Sequence, residues 1–131
     1  MSQIDKLKGM LFAVVGLMIV LLVLFWGISI YQFTARAVSV RGVVSKLNAG
    51  GSHPEIKFTA LDNKEIEYPQ GGLIFGYQTG DAVNVLYDAQ NPSNASLNTF
   101  GALWGFPVLT FVTGLVFMVA GLLQFWLVRL K

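Results

Sequence analysis

The chain has 131 residues, of which 54% are hydrophobic and 12% are charged, and its net charge is +2. A soluble globular domain usually carries about 25% charged residues, so this composition excludes an ordinary soluble domain. The basic residues form no cluster and cysteine is absent, which disfavours nucleic-acid binding and removes disulfides and thiolate chemistry.

The first element in chain order is a long uncharged stretch that predicts a membrane-spanning helix. Residues 10–30, MLFAVVGLMIVLLVLFWGISI, contain no charged side chain, and about 20 apolar residues suffice to cross a ~30 Å hydrocarbon core. A cleavable signal peptide is an alternative, because Ala35-Arg36-Ala37 resembles a cleavage site. The apolar region of a signal peptide is usually only about 7–15 residues long, so we predict an uncleaved transmembrane helix over residues 10–32.

The middle segment, residues 33–102, predicts a small all-β domain. Apolar and polar residues alternate in the runs AVSVRGVVSKL, EIKFTA, KEIEY and DAVNVLYD, as expected for strands with one buried face. The second and third runs are joined by the turn sequence LDN and predict a hairpin. Four or five such strands need closure or a cover, so we predict a strongly bent sheet or partial barrel. The residues expected to face inward are Val38, Val40, Val44, Ile56, Phe58, Ala60, Ile66, Tyr68, Val83, Val85 and Tyr87.

A glycine-rich loop, PQGGLIFGY (residues 69–77), carries four large apolar side chains: Leu73, Ile74, Phe75 and Tyr77. One interpretation is that this loop closes the open end of the sheet. The other is that it forms an apolar patch for the membrane surface or for a protein partner.

The stretch TGDAVNVLYDAQNPSNASL (residues 79–97) predicts a strand followed by a turn. Residues 79–81 should turn the chain into the strand. Residues 88–94 should form a turn held by Asp, Asn and Ser side chains and by the restricted backbone of Pro92. Residues 96–98 then lead back towards the membrane.

The last element is a second apolar stretch, residues 106–128, which predicts a transmembrane helix over residues 103–128. Two glycines seven residues apart accompany each span, with Gly9 lying just before the first span, and this spacing places both glycines of a pair on one helix face. Small residues allow close helix packing in membranes, so we predict a seam between the spans, with Gly16 and Gly121 at similar depth. Gly101 and Gly105 also form a G-x-x-x-G motif that could pair two copies. The four seam glycines are Gly9, Gly16, Gly114 and Gly121.

The distribution of charge predicts the orientation. The two ends carry four positive charges and one negative charge, whereas the middle carries five positive and six negative charges. Positive flanks favour the cytoplasm, so residues 1–9 and 129–131 are predicted to be cytoplasmic and the β domain to lie outside. Arg36 and Arg41 argue the other way, and segments longer than ~60 residues are largely exempt from the charge rule.

No catalytic, cofactor-binding or metal site is predicted. His53 is the only histidine and lies in a glycine-rich loop next to Ser52, whereas a nucleophile needs a base and a third orienting group that meet in space. Glu65 and Glu67 share the polar face of a strand, which is usually solvated. We therefore expect a protein that is not an enzyme.

The motif in residues 80–92 resembles that of a family of bacterial membrane proteins, domain-of-unknown-function family 3592. The family pattern is roughly G-D-x-V-x-V-x-Y-D-P-x-N-P, followed by Gly-x-x-W before a second span. This chain departs from it at Ala89 and Asn63, both in turns. The resemblance implies a span, a β domain and a second span, and it brings no established activity. The matching residues are Gly80, Asp81, Val83, Val85, Tyr87, Asp88, Asn91 and Pro92, then Gly101 and Trp104.

The expected fold is therefore a membrane α+β protein of the bacterial cytoplasmic membrane, with a hairpin of two transmembrane helices flanking a small β domain. We expect it to contact the lipid bilayer and a protein partner, with a homo-oligomer possible and nucleic acid excluded. The first functional hypothesis is protein binding or scaffolding in a membrane complex. The alternatives are an immunity protein against a secreted toxin that acts at the membrane or in the periplasm, and a component of an oligomeric pore.

Overall fold

The computed structural model describes residues 3–129; the predicted terminal segments also include Met1, Ser2, Leu130 and Lys131, which lie outside the described residues. The described elements, in chain order, are helix α1 (Gln3–Arg36), strands β1 (Val38–Asn48), β2 (His53–Thr59), β3 (Glu65–Pro69), β4 (Ala82–Asp88) and β5 (Asn91–Leu97), and helices α2 (Phe100–Leu103) and α3 (Gly105–Arg129). A single 3-10 turn, Ala49–Gly51, joins β1 to β2.

The chain divides into two compact units. The helical unit contains α1 as far as Ile28 together with α3 from Pro107, and the β unit spans Ser29–Phe106. Both long helices are long enough and apolar enough to cross a membrane. Helix α1 extends beyond both ends of the predicted span of residues 10–32.

The β unit is built on one antiparallel sheet with the strand order β3-β2-β1-β4-β5. The predicted hairpin of β2 and β3 is confirmed, and Asn63 in its turn has a φ of 63°, a left-handed conformation that Asn tolerates. The predicted alternation is also confirmed, because one face of the sheet packs into a single core. Buried residues of that core are Val44, Ile56, Phe58, Ala60, Tyr68, Ile74, Val85, Tyr87 and Leu97.

A buried glutamine closes the gap between the two outer strands. Gln70 follows β3, and its Oε1 accepts hydrogen bonds from the backbone N–H of Leu97 in β5 (2.7 Å) and from the hydroxyl of Tyr68 (3.0 Å). Its Nε2 donates to the carbonyl of Gly71 (2.7 Å). The predicted partial barrel is therefore closed at this point by a side chain, and the two strands form no backbone ladder with each other.

One edge of β3 pairs with β2, and the hydrogen-bond pattern determines which backbone groups lie on its other edge. The N–H of Ala60 donates to the carbonyl of Lys64 (2.9 Å). This bond identifies which residue pairs of β2 and β3 are hydrogen-bonded to each other. Since alternate residues of an antiparallel strand bond to one neighbour, the backbone groups of Glu65, Glu67 and Pro69 point away from β2.

The turn predicted over residues 88–94 is wrong in its length. The structure has a tight turn at Ala89 and Gln90, and Asn91–Leu97 forms strand β5. Asn91 already pairs with Asp88 of β4. The composition suggested a loop, but β5 is an outer strand, where proline is tolerated because one side of the strand needs no hydrogen-bond donor.

Burial of Tyr68 predicts a specific loss of stability at alkaline pH. Burial, and secondarily the nearby Tyr77, raise the pKa of Tyr68 far above its usual value, which is about 10 in an unfolded chain. Folding therefore favours the neutral phenol. The stability that depends on the neutral phenol is fully present below pH ~10, and it is lost as the pH rises above that value.

We expect the difference in unfolding free energy between the wild-type protein and Tyr68→Phe to depend on pH accordingly. At neutral pH the wild type should be more stable by roughly 0.5–1.5 kcal/mol, the usual net contribution of a hydrogen bond, because its hydroxyl donates to Gln70. Above pH ~10 the advantage should shrink and then reverse. Denaturant unfolding of both proteins between pH 8 and 12 measures this difference, and two parallel pH profiles would contradict the prediction.

Candidate interaction surfaces

All four glycines of the predicted seam lie where α1 and α3 meet. Gly9 lies opposite Gly121, and Gly16 lies opposite Gly114. The prediction that Gly16 and Gly121 lie at similar depth is therefore wrong, because each of them contacts the other glycine of the opposite helix. A Cβ atom on Gly16 would overlap the backbone nitrogen of Met118 and lie 2.6 Å from the carbonyl oxygen of Gly114, so the two backbones are in direct contact.

Other contacts hold the same helix pair together. The rings of Phe12 and Phe117 have centroids 5.6 Å apart, and the side-chain amide of Gln124 donates to the backbone carbonyl of Asp5 (3.3 Å). Gln124 is the one polar side chain of α3 that these contacts place across the seam, and its partner is a backbone oxygen close to the start of α1.

An apolar groove runs beside the glycine seam. Every atom exposed along it is apolar, so a ligand would gain packing and burial there without forming hydrogen bonds. The lining residues come from both helices and are Met10, Ala13, Val14, Leu17, Met118, Leu122 and Phe125.

The outer face of β1, β2 and β3 carries a group of mutually paired polar side chains, which we term the charged face. Lys57 contacts Glu65 at 2.7 Å, and the hydrogen bond to that carboxylate raises the pKa of Lys57. Ser45 donates to Glu67, and Asn48 donates to Glu55, both at 2.5 Å. The carboxylates of this face are therefore engaged by neighbouring strands.

The loop predicted as an apolar patch is divided between the core and the surface. Ile74 is buried in the core of the β unit, and Tyr77 packs against that core. Leu73 is half-buried, and its backbone N–H donates to the carbonyl of Gly101 (3.0 Å). Only Phe75 is exposed, with 83% of its surface accessible. Most of the loop thus closes the core, and one aromatic ring points outward.

Within the β unit, the G-x-x-x-G motif of Gly101 and Gly105 serves as a platform for this loop. A Cβ on Gly101 would overlap the carbonyl oxygen of Leu73, and one on Gly105 would lie 2.8 Å from the Leu73 Cβ. Gly72, with a φ of 103°, contacts Ala102 in the same way. This intramolecular packing explains why both positions of the motif are glycine.

The first part of the 80–92 motif forms the entry to β4. Gly80 has a φ of 93°, and its N–H donates to the carbonyl of Val44 (2.8 Å). The carboxylate of Asp81 accepts the backbone N–H of Gln78 (2.8 Å). Val83 is half-buried and Val85 is fully buried, so these residues shape and anchor the strand.

The second part of the motif anchors the other end of β4. Tyr87 is buried, and its hydroxyl accepts the backbone N–H of Leu61 (2.9 Å). Asp88 pairs with Arg36 at the end of α1 (3.2 Å) and accepts the N–H of Gln90 (3.0 Å). Asn91 and Pro92 belong to β5, as described above.

Sequence reasoning missed two of these anchoring residues. The sequence places Arg36 in a possible cleavage site and among the charges that bear on orientation, but a basic residue in the last turn of a helix also suits ion pairing. Gln70 offered no signal at all, because a single glutamine after a strand has no distinctive pattern.

His53 is exposed and is the first residue of β2, where it pairs with Asn48 of β1, and not the loop residue that the sequence predicts. Its Nδ1 lies 3.0 Å from the hydroxyl of Ser52. Among the residues that the structure describes, no three His, Cys, Asp or Glu side chains come together as a metal site requires.

Comparison with known proteins identifies a relative that covers most of the chain. No family model matches, so the resemblance to domain-of-unknown-function family 3592 stays a prediction, and no solved structure matches. A curated protein of Pseudomonas aeruginosa (strain PAO1), named "Immune protein Tsi4", is 44% identical over 116 residues, which are 88% of this chain and 80% of the relative. The chain therefore belongs to the family of the immune protein Tsi4.

Proposed function

We propose that this chain is an immunity protein, which protects the bacterium that makes it by binding a secreted toxin that acts at the cytoplasmic membrane or in the periplasm. The observation that carries the proposal is the 44% identity, over 88% of the chain, to a protein named as an immune protein. This similarity favours the immunity alternative over the scaffolding hypothesis, which no comparison supports.

The proposed location is the cytoplasmic membrane, with both chain ends in the cytoplasm and the β domain outside. Two helices long and apolar enough to span a membrane support it, together with the excess of positive charge at the chain ends. In that arrangement the charged face of the β unit meets soluble toxins, and the apolar groove of the helical unit meets toxins already within the lipid.

Binding is the proposed means of neutralisation. The charged face offers hydrogen-bond donors and acceptors held in place by cross-strand pairs such as Lys57–Glu65. Polar groups that are already oriented cost less entropy to order when a partner docks. The proposed partner is a toxin protein, as the similarity to an immune protein suggests.

The test is protection of a sensitive cell. Each gene that flanks the gene for this chain is expressed in a laboratory bacterium with a periplasmic export signal, with or without this chain. Under the proposal, one flanking product stops growth, and co-expression of this chain restores it.

The matched control is an unrelated two-span membrane protein expressed at the same level. Rescue by the control would show that the effect is nonspecific. A toxic neighbour that this chain fails to neutralise would refute the immunity function.

A further inference from the structure

Phe75 occupies an unusual position for a large apolar residue. Its ring is 83% exposed, although burying a phenylalanine side chain would contribute about 1.5–3 kcal/mol. The neighbouring residue Ile74 is buried in the core, and Tyr77 packs against the same core. Gly76, with a φ of 80°, lies between Phe75 and Tyr77. The chain on both sides of Phe75 is therefore anchored in the core, while the Phe75 ring itself stays at the surface.

The anchoring also determines where the ring lies. Leu73 contacts Gly101 in α2 and Gly105, the first residue of α3. Two residues of chain span at most about 7 Å, so Phe75 lies close to the point where the chain enters α3. Helix α2 exposes a second aromatic ring there, because Phe100 is 68% accessible.

The segments next to Phe75 in sequence, and the chain around α2 and α3 that its loop contacts, carry few charged residues. The connection between β3 and β4, residues 70–81, contains a single charged residue, Asp81, and residues 89–128 contain none. The carboxylate of Asp81 already accepts a backbone hydrogen bond from Gln78. The charged side chains of the β unit lie instead mainly on β1, β2, β3 and their connections.

We propose that Phe75 inserts into the headgroup layer of the bilayer beside the start of α3 and so fixes the β domain to the membrane surface. Aromatic rings favour this depth, and a segment without charges avoids the cost of desolvating them. Because the segment has no Lys or Arg, insertion does not depend on anionic lipids. The inference rests on the membrane location proposed above.

The absence of cysteine in the chain makes a direct test possible. Phe75→Cys is labelled with the environment-sensitive fluorophore NBD and reconstituted into vesicles of phosphatidylcholine alone. Thr59→Cys, on the exposed side of β2, is the matched control. We expect the label at position 75 to emit at shorter wavelength and to be quenched by nitroxide-labelled lipids, whereas the label at position 59 is quenched by aqueous iodide.

Two results would overturn the proposal that Phe75 inserts into the bilayer. One is equal iodide quenching at positions 75 and 59. The other is a label at position 75 whose emission shifts only when the toxin is added, since Phe75 would then be a protein contact. Unchanged thermal unfolding of Phe75→Cys verifies the fold, as expected for an exposed side chain. The lipid-quenching measurement needs no toxin. If the label at position 75 is quenched by lipid but the chain fails to protect cells, the immunity function is refuted and the membrane contact of Phe75 still stands.

Discussion

Replacing Gly121 with leucine is expected to break the pairing of α1 with α3. A Cβ at position 121 would overlap the backbone nitrogen of Ala13 and lie 2.6 Å from the carbonyl oxygen of Gly9. Backbone atoms cannot rotate aside as a side chain can, so the two helices must move apart at this position. Overpacking of a core costs about 1–3 kcal/mol, and we expect a loss at the upper end of that range.

The matched control is Ala120→Leu, which adds a side chain of the same final size at the adjacent, exposed position. Thermal unfolding of both variants in detergent micelles measures the effect, and protection of toxin-expressing cells gives a functional readout. We expect Gly121→Leu to unfold at a clearly lower temperature and Ala120→Leu to match the wild type. Equal unfolding temperatures for the two variants would refute the close backbone contact.

Truncation of Tyr87 to alanine is expected to destabilise the β domain by about 3–5 kcal/mol, the usual cost of removing a large buried aromatic side chain. Tyr87 is 1% exposed, and its ring lies 5.1 Å from that of Phe58. A small domain has only about 5–15 kcal/mol of stability, so the variant should be partly unfolded.

Two variants of Tyr87 separate its two contributions. Tyr87→Phe keeps the ring and removes only the acceptor for the N–H of Leu61, so it should lose about 1–3 kcal/mol. Limited proteolysis of wild type, Tyr87→Phe and Tyr87→Ala should give increasing cleavage in that order. An unchanged protease pattern for Tyr87→Ala would show that this motif residue has another role.

Local pattern was sufficient to predict most of the sheet, because the inward residues of four strands recur with the two-residue period of a strand. Strand β5 was missed because Asn, Pro and Ser are typical of turns, and the position of Pro92 on an outer strand depends on the order of strands in space. That order, with β1 in the middle, is a tertiary property that no single run of residues reveals.

The glycine seam shows the same division between local and tertiary information. A seven-residue spacing places Gly9 and Gly16 on one helix face, but it leaves open how far one helix is displaced along the other. The structure pairs Gly16 with Gly114. Similarly, the spacing of Gly101 and Gly105 suggested a contact between two copies, whereas both residues contact Leu73 of the same chain.

The edge of β3 that faces away from β2 carries features that oppose pairing with a second copy of the chain. Exposed strand edges can recruit the same edge of another molecule and grow into aggregates. If two copies paired antiparallel with Glu67 at the centre, the two Glu67 carboxylates would lie directly opposite each other, and like charges in that position destabilise strand pairing. Pro69 also supplies no N–H to the new ladder. Pairing of two copies through this edge of β3 is therefore disfavoured.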